Sequence, residues 1–260
     1  MNEAELVFSC VLNCDRLSLY LNKNIRLDKN KSVLISNILR RRISGEPLQY
    51  ILGKTEFMGY EFKIDRRALI PRPETEILVG AVIKELGSLE LSSKILDLCT
   101  GSGCIAVSIA KILPQSTVWA IDLSVQALAL ARENASLNGV EVKFLHSDLF
   151  SVLKNTQEKF DLIVSNPPYV ATSQLAGLSR EIAFEPEEAL EAGIDGSDFY
   201  RQIISEAGVY LNDNGFLAFE VGIHQADFVK EMLSINFSDI RIIKDYNNIQ
   251  RVVIAKKRML

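Results

Sequence analysis

Apolar residues near the start of the chain recur at the three- and four-residue spacing of a helix with one buried face. Leu6, Val7, Cys10, Val11, Cys14, Leu17 and Leu21 form one such series, and Val33, Leu34, Ile38, Leu39 and Ile43 form a second. Residues 3 to about 52 therefore read as helices, with Gly45, Pro47 and Gly53 punctuating the end. The run from Glu56 to Ile64 reads as a short β-hairpin with Gly59-Tyr60 near its turn. Two prolines in Leu69-Ile70-Pro71-Arg72-Pro73-Glu74-Thr75-Glu76 oppose continued helix, and the acids after Pro73 suit a helix N-terminus.

From Lys94 the pattern changes to short apolar runs alternating with helical stretches. Strands are expected at Ile95–Leu98, Thr117–Ile121, Glu141–Leu145 and Phe160–Val164, then at Gly215–Val221, Ile240–Lys244 and Arg251–Ala255. Helices are expected over Ile105–Ile112 and Val125–Asn138, the latter with Ser124 as N-cap and Gly139 as its stop. Strands separated by helices of this size imply an α/β fold with a doubly wound, mostly parallel sheet. The expected division is a helical segment over residues 1–54, a hairpin linker over 55–73 and an α/β domain over 74–260.

Composition narrows the class of protein. The chain has 260 residues, more than one compact domain usually needs, with 48% hydrophobic and 24% charged residues, ordinary for a globular protein. A net charge of -4 argues against naked nucleic acid as the main partner, because such proteins carry a positive balance. The basic runs Arg40-Arg41-Arg42 and Lys256-Lys257-Arg258 read as solvated helix or chain ends. Cys10, Cys14, Cys99 and Cys104 with only His146 and His224 make neither a zinc site nor a secreted disulfide framework, so no metal is expected. The start, Met1-Asn2-Glu3-Ala4-Glu5, lacks a signal layout, and no apolar run approaches the roughly 20 residues of a membrane span. The expectation is a reduced cytoplasmic protein with no membrane partner, most simply a monomer.

The turn after the first α/β strand reads Asp97-Leu98-Cys99-Thr100-Gly101-Ser102-Gly103-Cys104. Its glycines allow close backbone approach to a ligand, and the helix that follows points free N–H groups outward. Asp122, at the end of the next strand, suits the two hydroxyls of a ribose, or alternatively caps the following helix. Ala106 can stand in for the third glycine of a dinucleotide turn, so this turn alone leaves NAD open. After the third strand, Asp148 and Phe150 are placed to bracket an adenine ring, the alternative being a capped loop with a core phenylalanine.

Asn166-Pro167-Pro168-Tyr169 follows the fourth strand, at the sheet edge that faces a ligand crevice. Two prolines remove two donors and stiffen the loop, leaving carbonyls, the Asn166 Oδ1 and an aromatic face. That set fits a planar NH2 group, with Asn166 and the Pro167 carbonyl each accepting one hydrogen and Tyr169 packing on the flat group. Asn166, Pro167 and Tyr169 are the candidate catalytic residues. Methyl transfer to such a nitrogen requires alignment and electrostatic support rather than metal or activated water, and positioning alone is worth up to about 7–11 kcal/mol.

These residues carry a resemblance. The chain resembles the bacterial peptide chain release factor glutamine methyltransferases over nearly its whole length: in Arg41-Arg42-Ile43-Ser44-Gly45-Glu46-Pro47-Leu48-Gln49-Tyr50-Ile51, in Leu69 to Glu76, in the glycine turn, in Asn166 to Tyr169, in Glu185-Pro186 and in Gly193-Ile194-Asp195-Gly196. Asn-Pro-Pro-Tyr is shared with adenine methyltransferases, whereas Pro-Arg-Pro-Glu-Thr-Glu is far more specific to the glutamine enzymes. The resemblance implies a small N-terminal helical bundle that helps hold the substrate, a β-hairpin linker and a seven-stranded, Rossmann-like class I methyltransferase domain. It implies S-adenosylmethionine as donor, S-adenosylhomocysteine as product, and the glutamine of the Gly-Gly-Gln motif in class 1 peptide chain release factors as acceptor. The implied cofactor residues are Cys99, Thr100, Gly101, Ser102, Gly103, Asp122, Phe150 and Asn166, to which the reading of the third-strand turn above adds Asp148; those for the glutamine are Asn166, Pro167, Pro168 and Tyr169. Cys99 stands where the family usually has glycine, a side chain able to narrow the methionine pocket. Three alternatives stay open: a ribosomal-protein glutamine methyltransferase, a nucleic-acid adenine methyltransferase that extrudes its base, and a non-catalytic cofactor-binding module.

Overall fold

The computed structural model describes residues 2–21, 26–87 and 92–258; Met1 lies outside them, as do parts of the expected divisions at residues 22–25, 88–91 and 259–260. Four helices come first: α1 (Glu3–Leu12), α2 (Arg16–Leu21), α3 (Lys29–Ile43) and α4 (Leu48–Leu52). The first helical series is broken at Asn13, whose left-handed backbone (φ 50°) ends α1, while Asn2 and Glu5 close a capping box at its start. Val7, Ile35, Ile38 and Leu48 form the small core here. Other members of the expected stripes, among them Leu17, Val33, Leu34, Leu39 and Ile43, remain exposed, because so few helices have little interior to offer.

Strands β1 (Lys54–Phe57) and β2 (Tyr60–Lys63) form the hairpin. Its turn is Met58-Gly59, both at positive φ, one residue earlier than expected; Tyr60 is already paired with Phe57. Phe57 and Phe62 meet edge to face and bury themselves against the α/β body. Helix α5 (Pro73–Leu86) starts with Pro73 at its first position and acids in its first turn.

The remainder is a seven-stranded sheet built from β3 (Lys94–Leu98), β4 (Thr117–Asp122), β5 (Lys143–His146), β6 (Phe160–Ser165), β7 (Leu211–Glu220), β8 (Phe237–Lys244) and β9 (Gln250–Lys257). The order is β5-β4-β3-β6-β7-β9-β8, parallel except for β9, which pairs antiparallel with both neighbours. Helices α6 (Cys104–Ile112) and α7 (Val125–Asn138) join α5 on one face; α8 (Asp198–Tyr210) and α9 (Ala226–Leu233) cover the other. Two-residue alternation sorts the strands between these layers: Leu96, Trp119, Ile163, Leu217 and Phe219 face α8 and α9, while Ile95, Val118, Leu162, Phe216 and Ala218 face α5 and α6. Burial on both faces explains the nearly continuous apolar runs. The strand order reverses between β3 and β6, which opens a crevice at their carboxyl ends.

Candidate active site

A cavity of about 520 Å³ opens at that reversal point, within the usual size of small-molecule sites. The glycine turn forms its floor. Cys99, Gly101 and Gly103 all have positive φ, which folds the chain back tightly between β3 and α6. The turn is tied down from several sides. Thr100 donates from its backbone to the Ile121 carbonyl and from its hydroxyl to Asp97 Oδ2 at 2.6 Å; Ser165 Oγ donates to the Leu98 carbonyl. Buried Asn134 donates to the Ser102 carbonyl and also pairs with the Lys63 backbone, locking the hairpin to the turn. Asp97 is fully buried, and burial pushes its carboxyl up to about 7.

Asp122 occupies the wall beside this turn. Its Oδ2 accepts from the Gly101 N–H at 2.7 Å and its Oδ1 from the Ser124 N–H at 2.8 Å. Each oxygen keeps lone-pair capacity for a further donor. The capping alternative for Asp122 falls away, because Ser124 caps α7 by accepting from Ala127. Leu123 and Leu149 add apolar walls, and Asp148 lines the cavity without capping the short helical turn that it precedes.

Cys99, Thr100, Gly101, Ser102, Asp122, Asp148, Asn166 and Pro168 thus share one cavity. Four expected site residues do not line it. Phe150, expected to bracket an adenine, has its ring fully buried in the core and stacked on Tyr210 at 4.7 Å, while the neighbouring Leu149, at positive φ, lines the cavity. Gly103 packs closely against α7; a Cβ there would lie 2.9 Å from the Ala131 Cβ. Pro167 is buried behind Asn166 and Pro168. Tyr169 packs against the lower core, and its phenol is pushed up to about 12, first by burial and then by the charge of Glu220.

The acceptor loop is held from behind. Gln225 Nε2 donates to the carbonyls of Tyr169 and Gly196, at 3.0 and 3.1 Å. Gly196 must be glycine, because a Cβ would sit 2.5 Å from the Tyr169 carbonyl oxygen. The connection between β6 and α8 then reaches the N-terminal helices. Glu185 accepts from Arg72 and the Ile70 N–H, Glu181 pairs with Arg42, and Arg66 lies over Phe184. The Arg40-Arg41-Arg42 run is therefore not simply solvated: Arg41 grips Glu46 with two bonds, and Arg42 joins Glu3 to Glu181.

Thr75 is not among the expected site residues, whereas Glu220, at the end of an apolar strand, reads from the sequence either as a crevice residue or as a buried cap. Thr75, in the first turn of α5, lines the cavity; Glu220 ends β7 and is buried. The signal for Thr75 was present in the Pro-Arg-Pro-Glu-Thr-Glu segment, but its neighbours across the sheet were invisible. Among the described residues, no group of three His, Cys, Asp or Glu side chains is arranged to hold a metal, and no helix is long and apolar enough to cross a membrane.

Residues 73–250 match the family described as Methyltransferase small domain, and residues 1–53 match the PrmC N-terminal domain. The release factor glutamine methyltransferase of Thermodesulfovibrio yellowstonii is 41% identical over 99% of this chain and 92% of its own length. That of Geobacter sulfurreducens is 42% identical over 96% of this chain and 87% of its own. The chain belongs to the release factor glutamine methyltransferase family. It is an S-adenosylmethionine-dependent methyltransferase, and NAD is no longer a competing reading of the glycine turn. Solved structures agree on the fold. A Pyrococcus furiosus methyltransferase superposes with a TM-score of 0.57 at 18% identity, covering 89% of this chain and all (100%) of that one. A T. thermophilus 16S rRNA methyltransferase, crystallised with AdoMet and guanosine, gives 0.58 at 18% identity, covering 79% of this chain and 50% of that one.

Proposed function

We propose that this enzyme methylates the side-chain amide nitrogen of the glutamine in the Gly-Gly-Gln motif of class 1 peptide chain release factors. The observation that carries this reading is the opening of Asn166 and Pro168 into the same cavity as Asp122 and the glycine turn, in a chain of this family. The residues present suit the donor. Asp122 retains acceptor capacity for ribose hydroxyls, Leu123 and Leu149 offer apolar walls for a purine, and the Asp148 carboxylate is left free by the turn it precedes. S-adenosylmethionine supplies an electrophilic methyl group on a sulfonium centre.

The protein's own contribution is positional and electrostatic. An amide nitrogen is a weak nucleophile because its lone pair is delocalised into the carbonyl. Asn166 Oδ1 accepts one of the amide hydrogens, so the nitrogen is oriented toward the donor side of the cavity. Acceptors that bind more strongly as the nitrogen gains positive charge lower the barrier. Gln225, Gly196 and the two prolines keep this corner rigid, so little reorganisation is needed as charge develops. Exposed Leu17, Tyr20 and Ile43 on the N-terminal helices supply apolar surface for the release factor.

The test is transfer of radiolabel from S-adenosylmethionine to release factor, ribosomal protein or DNA in separate reactions. Label should appear on the release factor and vanish when its Gly-Gly-Gln glutamine is replaced; label on DNA or ribosomal protein alone defeats the proposal. Asn166→Ala should lower turnover on the order of a hundredfold with the fold intact by circular dichroism. Near-normal turnover would remove Asn166 from its assigned role.

A further inference from the structure

Asn166 is an amide acting as an acceptor, and an amide can face either way. Its Oδ1 suits a substrate NH2, whereas its own NH2 would repel one. Something must therefore hold it in one orientation. The sheet register supplies the candidates. Ser165 pairs with Phe219 across β6 and β7, so the next residues along, Asn166 and Glu220, emerge side by side at the carboxyl edge. The two-residue alternation of β7 turns Glu220 toward α5, whose first turn carries Thr75. Thr75 Oγ1 donates to Glu220 Oε2 at 2.6 Å, and Asn166 Nδ2 donates to Thr75 Oγ1 at 3.3 Å. Thr75 and Glu220 are each only 2% exposed.

We propose that Thr75 and the ionised carboxylate of Glu220 are positioning residues that fix the polarity of the Asn166 carboxamide and so present its Oδ1 to the incoming amide. A threonine hydroxyl has one proton. While that proton is committed to a carboxylate, only lone pairs face Asn166, and only the Asn166 NH2 can lie against them. Protonating Glu220 reverses the chain: the carboxyl donates to Thr75, Thr75 turns its proton to Asn166, and the amide flips its NH2 into the cavity. The network thus reads the charge of one buried acid as the direction of one amide.

The surroundings allow that charge to change near neutrality. Burial pushes Glu220 up to about 7, opposed by the Thr75 hydrogen bond, by Arg251 on β9 and by the Asn166 amide itself. Glu74 on α5 raises it further. Tyr169 in the acceptor loop and Cys104 on α6 feel the Glu220 charge, and both are held protonated, mainly by burial. Tyr200 on α8 donates to the Glu220 backbone carbonyl rather than to its carboxylate.

This inference rests on the role assigned to Asn166 above, and its test has a readout that does not need substrate. In cofactor-loaded protein, the Asn166 side-chain NH2 resonance is followed by nitrogen–proton NMR from about pH 5.5 to 8.5. A single inflection near 7 is expected, and it should disappear in Glu220→Gln. In turnover, wild-type kcat should fall roughly tenfold per pH unit below the inflection, and Glu220→Gln should lose that acid limb. Thr75→Val should lower kcat at least about tenfold with little change in cofactor affinity, and Thr75→Ser, which keeps the hydroxyl, should restore it. A flat Asn166 resonance, an inflection that survives in Glu220→Gln, or a Thr75→Ser variant as impaired as Thr75→Val overturns the network. Protein that leaves release factor unlabelled while the Asn166 resonance still follows Glu220 defeats the proposed substrate and supports the network.

Discussion

Replacing Asp122 by Asn tests the assignment of the donor site at one pair of oxygens. The Asn is nearly isosteric, so packing is preserved, but one acceptor becomes an NH2. Both oxygens of Asp122 already receive backbone N–H groups, from Gly101 at 2.7 Å and Ser124 at 2.8 Å. One of these two bonds must therefore become a donor facing a donor. A hydrogen bond to a charged group contributes about 1.5–3 kcal/mol, and this part of the loss weighs on the free protein and on the shape of the glycine turn. A second loss of about the same size falls on binding alone, where a ribose hydroxyl gives up a charged acceptor. At 1.4 kcal/mol per decade, the binding part is about a 10- to 150-fold rise in Kd. Isothermal titration with S-adenosylhomocysteine measures it directly. Deoxyribose analogues complete a cycle: removing the hydroxyl should weaken binding to the wild type and matter much less to Asp122→Asn. A Kd within twofold of wild type, or an equal penalty for the analogue in both proteins, would refute the ribose contact.

Three further outcomes follow from the same geometry. Gly103→Ala combines a φ of 80° with a Cβ only 2.9 Å from the Ala131 Cβ; left-handed strain of about 1–2 kcal/mol and overpacking of about 1–3 kcal/mol should appear together in urea denaturation, and an unmoved midpoint would show that α6 and α7 separate freely. Phe150→Ala should cost about 3–5 kcal/mol of stability, since the ring is fully buried on Tyr210, yet leave cofactor Kd within about threefold; a Kd change far beyond that would return the ring to the binding site. Glu220 is raised from 4.5 to about 7 in the folded protein, so its protonated form favours folding below about 4.5, and that contribution is lost as pH rises through about 7. Glu220→Gln should therefore gain stability relative to wild type between pH 5 and 8, by up to about 3 kcal/mol; equal pH dependence in the two proteins would show that Glu220 is not buried as an acid.

Local signals identified most of the elements correctly. Ser124 and Gly139 bound α7 as their chemistry requires, one accepting from Ala127 and the other taking a left-handed φ. Apolar runs marked the strands, though β7 and β8 begin earlier than expected and β9 extends at both ends, because polar residues at a strand edge still complete the ladder. The hairpin turn fell one residue early, since Met58 and Gly59 share the positive φ that a two-residue turn demands. In the site, Asp122, Asp148 and Asn166 were legible because each ends or follows a strand at the crevice edge. Which of the neighbours Leu149 and Phe150 lines the cavity was not legible, because the positive φ at Leu149 has no local signature in the sequence.

The amino-acid sequence by itself determined the class of fold, the glycine turn, the rigid Asn-Pro-Pro-Tyr corner and the family, since each depends on residues adjacent in the chain or on a repeating spacing. Only the tertiary structure decided which of those residues share a cavity and what holds them there. Thr75, Asn166 and Glu220 come from a helix start, a strand-following loop and a strand end, and nothing local to any of them signals the other two. Their meeting is set by strand order, register and the two-sided alternation of a sheet, which are properties of long-range packing. The direction of one amide side chain, on which the proposed chemistry depends, is settled at that level.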